Sequence, residues 1–175
     1  FYTGSQAAQT AGTIGLAGFE DRRDGVGDGY IGLRILMDNS QETYFVQGMN
    51  LADSLKQASR VFLESKGLSV VPAESFGGTD MEKMKNAVRG KDRVLMAEIN
   101  QFECRARKKG VATQMSLEID LTFYVGRADP ASIRKIPAAL TLERTDVGFS
   151  EVKLQQFVNQ SVADVLDKAL GGISR

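Results

Sequence analysis

The clearest alternation of apolar and polar positions runs from residue 111 to residue 125. Every odd position there is apolar or β-branched: Val111, Thr113, Met115, Leu117, Ile119, Leu121, Phe123 and Val125. The positions between them are mostly polar. Because successive side chains of a strand point to opposite faces, this pattern predicts a long strand with one buried face and one solvated face. Such one-sided burial is typical of antiparallel sheets.

The segments on either side of this strand alternate in the same way. Residues 93–107 change phase part-way, which predicts a β-bulge near residues 100–101, because a one-residue slip moves every later side chain to the other face. A turn at 108–110 leads into the strand at 111–125, and a third long strand is predicted around 136–142. These three strands are predicted to form an antiparallel meander.

Shorter elements are predicted before the meander. The strands are 13–19, 31–37, 43–47 and 68–71, with a polar, glycine-rich turn or loop at 20–29 and a short helix near 81–88. Thr79 and Glu82 have the spacing of a capping box at the start of that helix.

Two longer amphipathic helices complete the prediction. The first covers 51–66, with Asn50 as its N-cap, and the second begins after Ser150 and ends at Gly171–Gly172. Two such helices on one face of a mostly antiparallel sheet predict an α+β fold.

The length of 175 residues is enough for one domain with a substantial core. Residues 1–12 are small and polar, which is typical of a flexible N-terminal tether, and residues 13–175 are predicted to form a single α+β domain. No run of apolar residues is long enough to span a bilayer.

The charge balance and the missing residue types narrow the function. Lys and Arg number 22, Asp and Glu also number 22, and histidine is absent. A net charge of zero does not favour nucleic-acid binding. Without histidine, the usual general base and the commonest transition-metal ligand are missing. The single thiol, Cys104, lies in a predicted strand, where a small buried side chain is the expected role.

Three patterns resemble catalytic or ligand-binding motifs, but each has a simpler interpretation. Residues 27–32 match G-x-G-x-x-G, yet a strand follows them where a dinucleotide site needs a helix. Three acidic residues near glycines lack the spacing of a calcium loop. Four carboxylates on neighbouring strands could pair for acid/base catalysis, but strand alternation directs most of them to solvent. The acidic residues near the glycines are Asp21, Asp24 and Asp28. The carboxylates on the strands are Glu98, Glu103, Glu118 and Asp120.

One dense basic cluster lies at the tip of the hairpin formed by the first two strands of the predicted meander. It comprises Arg105, Arg107, Lys108 and Lys109. These side chains are candidates for binding the phosphate groups of a lipid or an acidic partner. Alternatively, lysine at a strand end prevents edge-to-edge association of sheets.

Four short motifs follow one another in a recognisable order: Phe19–Arg23, Asn50–Leu55, Gly67 and Phe157–Val162. With the order of elements, they resemble the YajG-type bacterial lipoproteins, whose early Asp-x-Arg is matched by Asp21 and Arg23. The resemblance implies a location on the periplasmic side of the outer membrane. It also implies a lipid anchor on a cysteine upstream of Phe1 rather than a transmembrane helix.

Two functions fit these observations better than an enzyme does. The first is a non-enzymatic interaction or assembly module of the cell envelope that binds an envelope protein partner. The second is a lipid- or glycolipid-binding accessory with a groove between helices and sheet. We expect no cofactor, no metal and no nucleic acid. A large apolar cavity would favour the second function, and a filled core with an exposed apolar patch would favour the first.

Overall fold

A computed structural model describes residues 12–173 of the chain. The strands are β1 (Thr13–Leu16), β2 (Glu20–Asp21), β3 (Tyr30–Ile35), β4 (Gln41–Phe45), β5 (Ser69–Pro72), β6 (Arg93–Lys109), β7 (Ala112–Ala128) and β8 (Ala131–Val147). The helices are α1 (Leu51–Ser65), α2 (Met81–Ala87) and α3 (Glu151–Leu170). The predicted tether lies, apart from Gly12, outside the described residues.

The strand β6 organises the sheet. Along one edge it pairs in succession with β1, β2 and β3, and all three run parallel to it. Along its other edge it pairs antiparallel with β7, which pairs antiparallel with β8. β4 is added antiparallel to β3, and β5 is added parallel to β1. The strands therefore form one curled, mixed sheet.

The predicted α+β class and the antiparallel meander β6–β7–β8 are confirmed. The prediction of a mostly antiparallel sheet needs correction, because the strands before β6 join it in parallel. Parallel pairing requires a crossover connection, and the segments that contain α1 and α2 return the chain before β6 begins. The first strand is also shorter than predicted, ending at Leu16, and part of the predicted loop forms β2.

The predicted β-bulge lies in the middle of β6. The register between β6 and β7 shifts between Ile99 and Gln101. Before the shift, Leu95 and Ile99 are buried on the face that α1 and α3 cover, and after it Phe102 belongs to the same core. The extra residue keeps apolar side chains on one face although their sequence phase changes.

The helices α1 and α3 cover that face as predicted. Asn50 accepts a hydrogen bond from the Asp53 backbone N–H at 2.7 Å, and Ser150 accepts one from the Lys153 backbone N–H at 3.1 Å. Both predicted N-caps are therefore confirmed. The buried side chains of the two helices join those of the sheet in one core, with these residues from the helices: Leu51, Leu55, Leu63, Leu154, Phe157, Val165, Leu166 and Leu170.

The short helix α2 lies on the opposite face of the sheet, at the end where β6 begins. There Met84 and Phe76 bury the side chains of Met96 and Tyr124 in a second apolar cluster. The expectation of a sheet covered on one side only is thus wrong at this end. The N-cap of α2 is Asp80, which accepts from the Lys83 backbone N–H at 3.0 Å, and not Thr79 as predicted.

Candidate functional site

Asp21 and Arg23, the two residues matched to the family motif, form a partly buried ion pair beside the sheet. Asp21 ends β2, and Arg23 follows two residues later. Only 5% of the Arg23 side chain is exposed. Its Nε donates to Asp21 Oδ1 at 2.9 Å, and its Nη2 donates to Asp21 Oδ2 at 2.7 Å. This bidentate contact fixes the guanidinium group of Arg23 and the carboxylate of Asp21 relative to each other.

A third nitrogen of Arg23 connects two segments that lie far apart in the chain. Its Nη1 donates to the carbonyl oxygen of Tyr30 at 2.7 Å and to that of Phe102 at 3.1 Å. Tyr30 begins β3, and Phe102 lies on β6 one residue beyond the bulge at 99–101. We call Asp21, Arg23 and these two carbonyl groups the clasp. The clasp joins both ends of the loop 22–29 to β6.

The clasp also sets the charge state of Asp21. Burial raises the pKa of this carboxyl group, but hydrogen bonds from the side chain and backbone N–H of Arg23, together with its positive charge, outweigh burial. The net result is a pKa below the ordinary value of 3.8. Asp21 is therefore ionised, and its stabilising contact with Arg23 is present, throughout the neutral range.

The loop that the clasp holds is bordered by exposed apolar side chains. Val26 lies in the loop, Phe45 ends β4, and Met49 precedes α1. All three are exposed, Phe45 to 54%. We call these three residues the loop patch. Aromatic and methionine side chains in such a position are typical of protein interfaces.

Backbone hydrogen bonds hold the segments of the loop patch together. The Val46 N–H donates to the carbonyl oxygen of Gly29 at 2.8 Å, and the Leu51 N–H donates to that of Asp28 at 2.9 Å. The ring of Phe45 lies edge-on to Tyr30, with ring centroids 6.1 Å apart. The loop, the end of β4 and the start of α1 are thus fixed against one another.

Sequence reasoning missed the loop patch and the burial of Arg23. A signal for Phe45 is present, since Gln41, Thr43, Phe45 and Gln47 share one parity of the β4 segment and Phe45 is its one large apolar member. No local signal marks Arg23, because its partner Phe102 lies 79 residues away.

The glycine-rich motif at 27–32 leads into β3 and not into a helix. It therefore does not present a helix N-terminus to a pyrophosphate. Within residues 12–173, no group of three or more His, Cys, Asp or Glu side chains is arranged to hold a metal ion.

The carboxylates of β6 take part in local hydrogen bonds on the face opposite α1 and α3. Glu98 accepts from the Tyr124 hydroxyl at 3.0 Å and from Arg22 at 3.3 Å. Glu103 accepts from the Tyr30 hydroxyl at 3.0 Å. Burial, and then the hydrogen bond to Glu98, raise the pKa of Tyr124, so its phenol stays protonated and donates.

The two carboxylates of β7 differ in their contacts. Asp120 accepts a hydrogen bond from the Asn100 side chain at 3.3 Å, and Glu118 lies exposed directly opposite Glu103. These contacts describe a polar sheet face linked by hydrogen bonds.

The four basic candidates do not share one face. Arg105 contacts Glu103 at 3.3 Å, while Arg107, Lys108 and Lys109 are exposed near the end of β6. Because side chains alternate after the bulge, Lys108 points to the face of the main core and the other three to the opposite face. Their role in ligand binding stays a prediction.

Cys104 is buried between the sheet and its covering helices. Burial, and then the nearby charge of Glu103, raise the pKa of its thiol to about 12. A thiol with so high a pKa is unreactive at neutral pH.

None of the helices in the described part of the chain is long and apolar enough to cross a membrane. No protein-family model matches the chain, and a search of curated proteins found no match.

Several solved structures are similar to this chain over most of its length. The hypothetical protein CT253 from Chlamydia trachomatis is 12% identical, with 89% of this chain and 96% of that one covered and a TM-score of 0.49. Lipoprotein GNA1162 from Neisseria meningitidis is 10% identical over 89% and 98% of the two chains, with a TM-score of 0.41. The C-terminal domain of LpoB from Salmonella enterica is 13% identical over 75% and 83%, with a TM-score of 0.39.

The chain is therefore similar in structure to bacterial proteins that include lipoproteins.

Proposed function

We propose that this protein is a non-enzymatic, periplasm-facing lipoprotein domain that acts as an interaction or assembly module of the bacterial cell envelope. The observation that carries the proposal is the loop patch: an exposed Phe45, flanked by Val26 and Met49, on segments that the clasp and backbone hydrogen bonds hold in place. A rigid apolar patch binds a partner without the cost of ordering a flexible loop.

The packed interior favours a function in surface interaction and not the binding of a ligand inside the domain. Side chains of α1, α3 and the sheet fill the space between the layers, with Leu63, Leu117 and Phe123 fully buried. A surface depression of about 580 Å³ beside α2 is open and includes Glu74, Arg89 and Lys91 in its lining. Its charged rim does not suit an acyl chain.

The sequence motifs support the location in the envelope. The resemblance to YajG-type lipoproteins, with Asp21 and Arg23 in the matching positions, suggests the periplasmic side of the outer membrane and a lipid anchor upstream of Phe1. In the clasp, these two residues hold the loop that carries Val26 of the loop patch.

The second candidate is a lipid- or glycolipid-binding accessory of an envelope transport or lipopolysaccharide assembly system. The exposed Arg107, Lys108 and Lys109 at the end of β6 favour it, because they can contact phosphate groups. The filled interior argues against a groove between helices and sheet as the binding site.

Site-specific photo-crosslinking in bacterial cells tests the first proposal. A photoreactive amino acid in place of Phe45 should give a covalent adduct with one envelope protein. Val61, an exposed residue on α1, is the matched control position and should give little adduct. Met49→Asp should weaken the adduct at position 45 about tenfold, because it places a charge in an apolar contact.

Two results would overturn the proposal. One is equal adduct yield at positions 45 and 61, which would mean contact by random collision. The other is an adduct at position 45 that Met49→Asp leaves unchanged, since the neighbouring side chain would then lie outside the contact.

A further inference from the structure

A second group of exposed apolar side chains lies at the far end of the sheet, where β3 and β6 end. Val111 lies in the β6–β7 turn, Val147 ends β8, and Val152 is in the first turn of α3. They are 82%, 76% and 62% exposed, respectively. We call these three residues the valine tip. It is separate from the loop patch, which lies where β3 begins.

Hydrogen bonds place the valine tip and a cationic side chain side by side. The Gly148 N–H donates to the Val111 carbonyl oxygen at 2.9 Å, so the end of β8 lies against the β6–β7 turn. Lys153 Nζ donates to the Val147 carbonyl oxygen at 2.9 Å, which holds its ammonium group at the same end.

The charge around the valine tip is positive although the whole chain is neutral. The segments 107–111 and 144–153 contain five basic residues and two acidic ones. One of the acidic residues, Asp146, is paired with Arg144 at 2.9 Å. The exposed Lys108 and Lys109 precede Val111 in the chain, with Gly110 between them.

From this combination we infer that the valine tip docks onto an anionic lipid surface. The three valines enter the headgroup layer, and Lys108, Lys109 and Lys153 contact lipid phosphates. Aliphatic side chains interleaved with long flexible lysines suit such an interface, because lysine can keep its ammonium group at the phosphate level while its stem lies among apolar groups.

Charge complementarity favours a lipid surface over a second copy of the chain. Two copies that met through the valine tip would bring like charges together. Three valine side chains also provide far less than the roughly 800 Å² per partner of a stable protein interface. Docking of the valine tip does not depend on the loop patch. Lipid docking by the tip and partner binding by the loop patch can therefore each fail without the other.

Tryptophan fluorescence tests the insertion directly, because the chain contains no tryptophan. In the full chain, Val111→Trp should shift its emission to shorter wavelength with vesicles of mixed phosphatidylglycerol and phosphatidylcholine. Brominated lipid should quench it. Val61→Trp on α1 is the matched control and should show neither change. Unchanged emission of Val111→Trp, or equal shifts at both positions, would overturn the inference.

Charge reversal tests the electrostatic part. Lys108→Glu with Lys109→Glu should weaken vesicle binding of Val111→Trp about tenfold or more, and high salt should weaken the unreversed protein. The control is Lys83→Glu with Lys85→Glu on α2, at the opposite end of the sheet, which should leave binding nearly unchanged. Equally strong binding to vesicles of pure phosphatidylcholine would contradict the role of the lysines. Equal weakening by the two double variants would also contradict it.

Discussion

The clasp makes a sharp prediction about two neighbouring arginines. Arg23→Ala removes a guanidinium that is 5% exposed and leaves the Asp21 carboxylate and two carbonyl oxygens without their donor. Breaking a buried ion pair costs about 3–5 kcal/mol. Because 18% of the Asp21 side chain reaches solvent, we take the lower part of this range for the pair. The lost carbonyl hydrogen bonds add about 1 kcal/mol. The expected loss in the free energy of unfolding is therefore about 4 kcal/mol.

Arg22→Ala is the matched control, one residue away in the same loop. Arg22 contacts Glu20 at 2.6 Å and Glu98 at 3.3 Å, but 55% of its side chain is exposed. Exposed pairs contribute about 0–1 kcal/mol, so its loss should stay within about 1 kcal/mol. Denaturant melts of both variants decide the question. Similar losses for the two, or a loss below about 1 kcal/mol for Arg23→Ala, would mean that the clasp does not stabilise the fold.

Four further predictions follow from burial and charge. The pKa of Asp21 is lowered on folding, so its contribution to stability is present above the unfolded pKa of about 4 and is lost as pH falls through the lower folded value. The free energies of unfolding of wild type and Asp21→Asn should therefore converge as the pH falls through that range. Ile119→Ala, in the main core, should cost about 2–5 kcal/mol, whereas the exposed Glu118→Ala should stay within about 0.5 kcal/mol. Met84→Ala, buried under the opposite face, should also cost about 2–5 kcal/mol, and a negligible loss would mean that α2 does not cover that face. The Cys104 thiol, with a pKa of about 12, should resist thiol reagents at pH 7 until the protein unfolds.

Local patterns predicted the long strands and the two main helices well, for a physical reason. Alternation and capping depend on residues within a few positions of one another, as at Asn50, Ser150 and the bulge after Ile99. Only a weak signal indicates that both faces of the sheet are buried near Tyr124. Residues 123–125 form a short apolar run that interrupts the alternation.

Features that depend on distant segments could not be predicted in this way. The parallel pairing of β1 with β6 is set by the path of the chain through α1 and α2, and four strand residues carry no mark of direction. The clasp needs Phe102 to come within hydrogen-bonding distance of Arg23, which only the folded sheet achieves. Lys108 was grouped with Arg107 by proximity in sequence, but strand alternation separates their side chains.

The proposed function depends on the clasp presenting the loop patch to a partner, and one comparison tests that link. Arg23→Lys keeps the positive charge but lacks the planar fork that reaches Asp21 and both carbonyl groups at once. The measurement is the photo-crosslinking yield at position 45, in wild type and in Arg23→Lys, under conditions where circular dichroism shows both folded. We expect a clear fall in yield for Arg23→Lys, with the yield unchanged for Arg22→Lys. An equal yield in all three proteins would contradict a role of the clasp in presenting the loop patch.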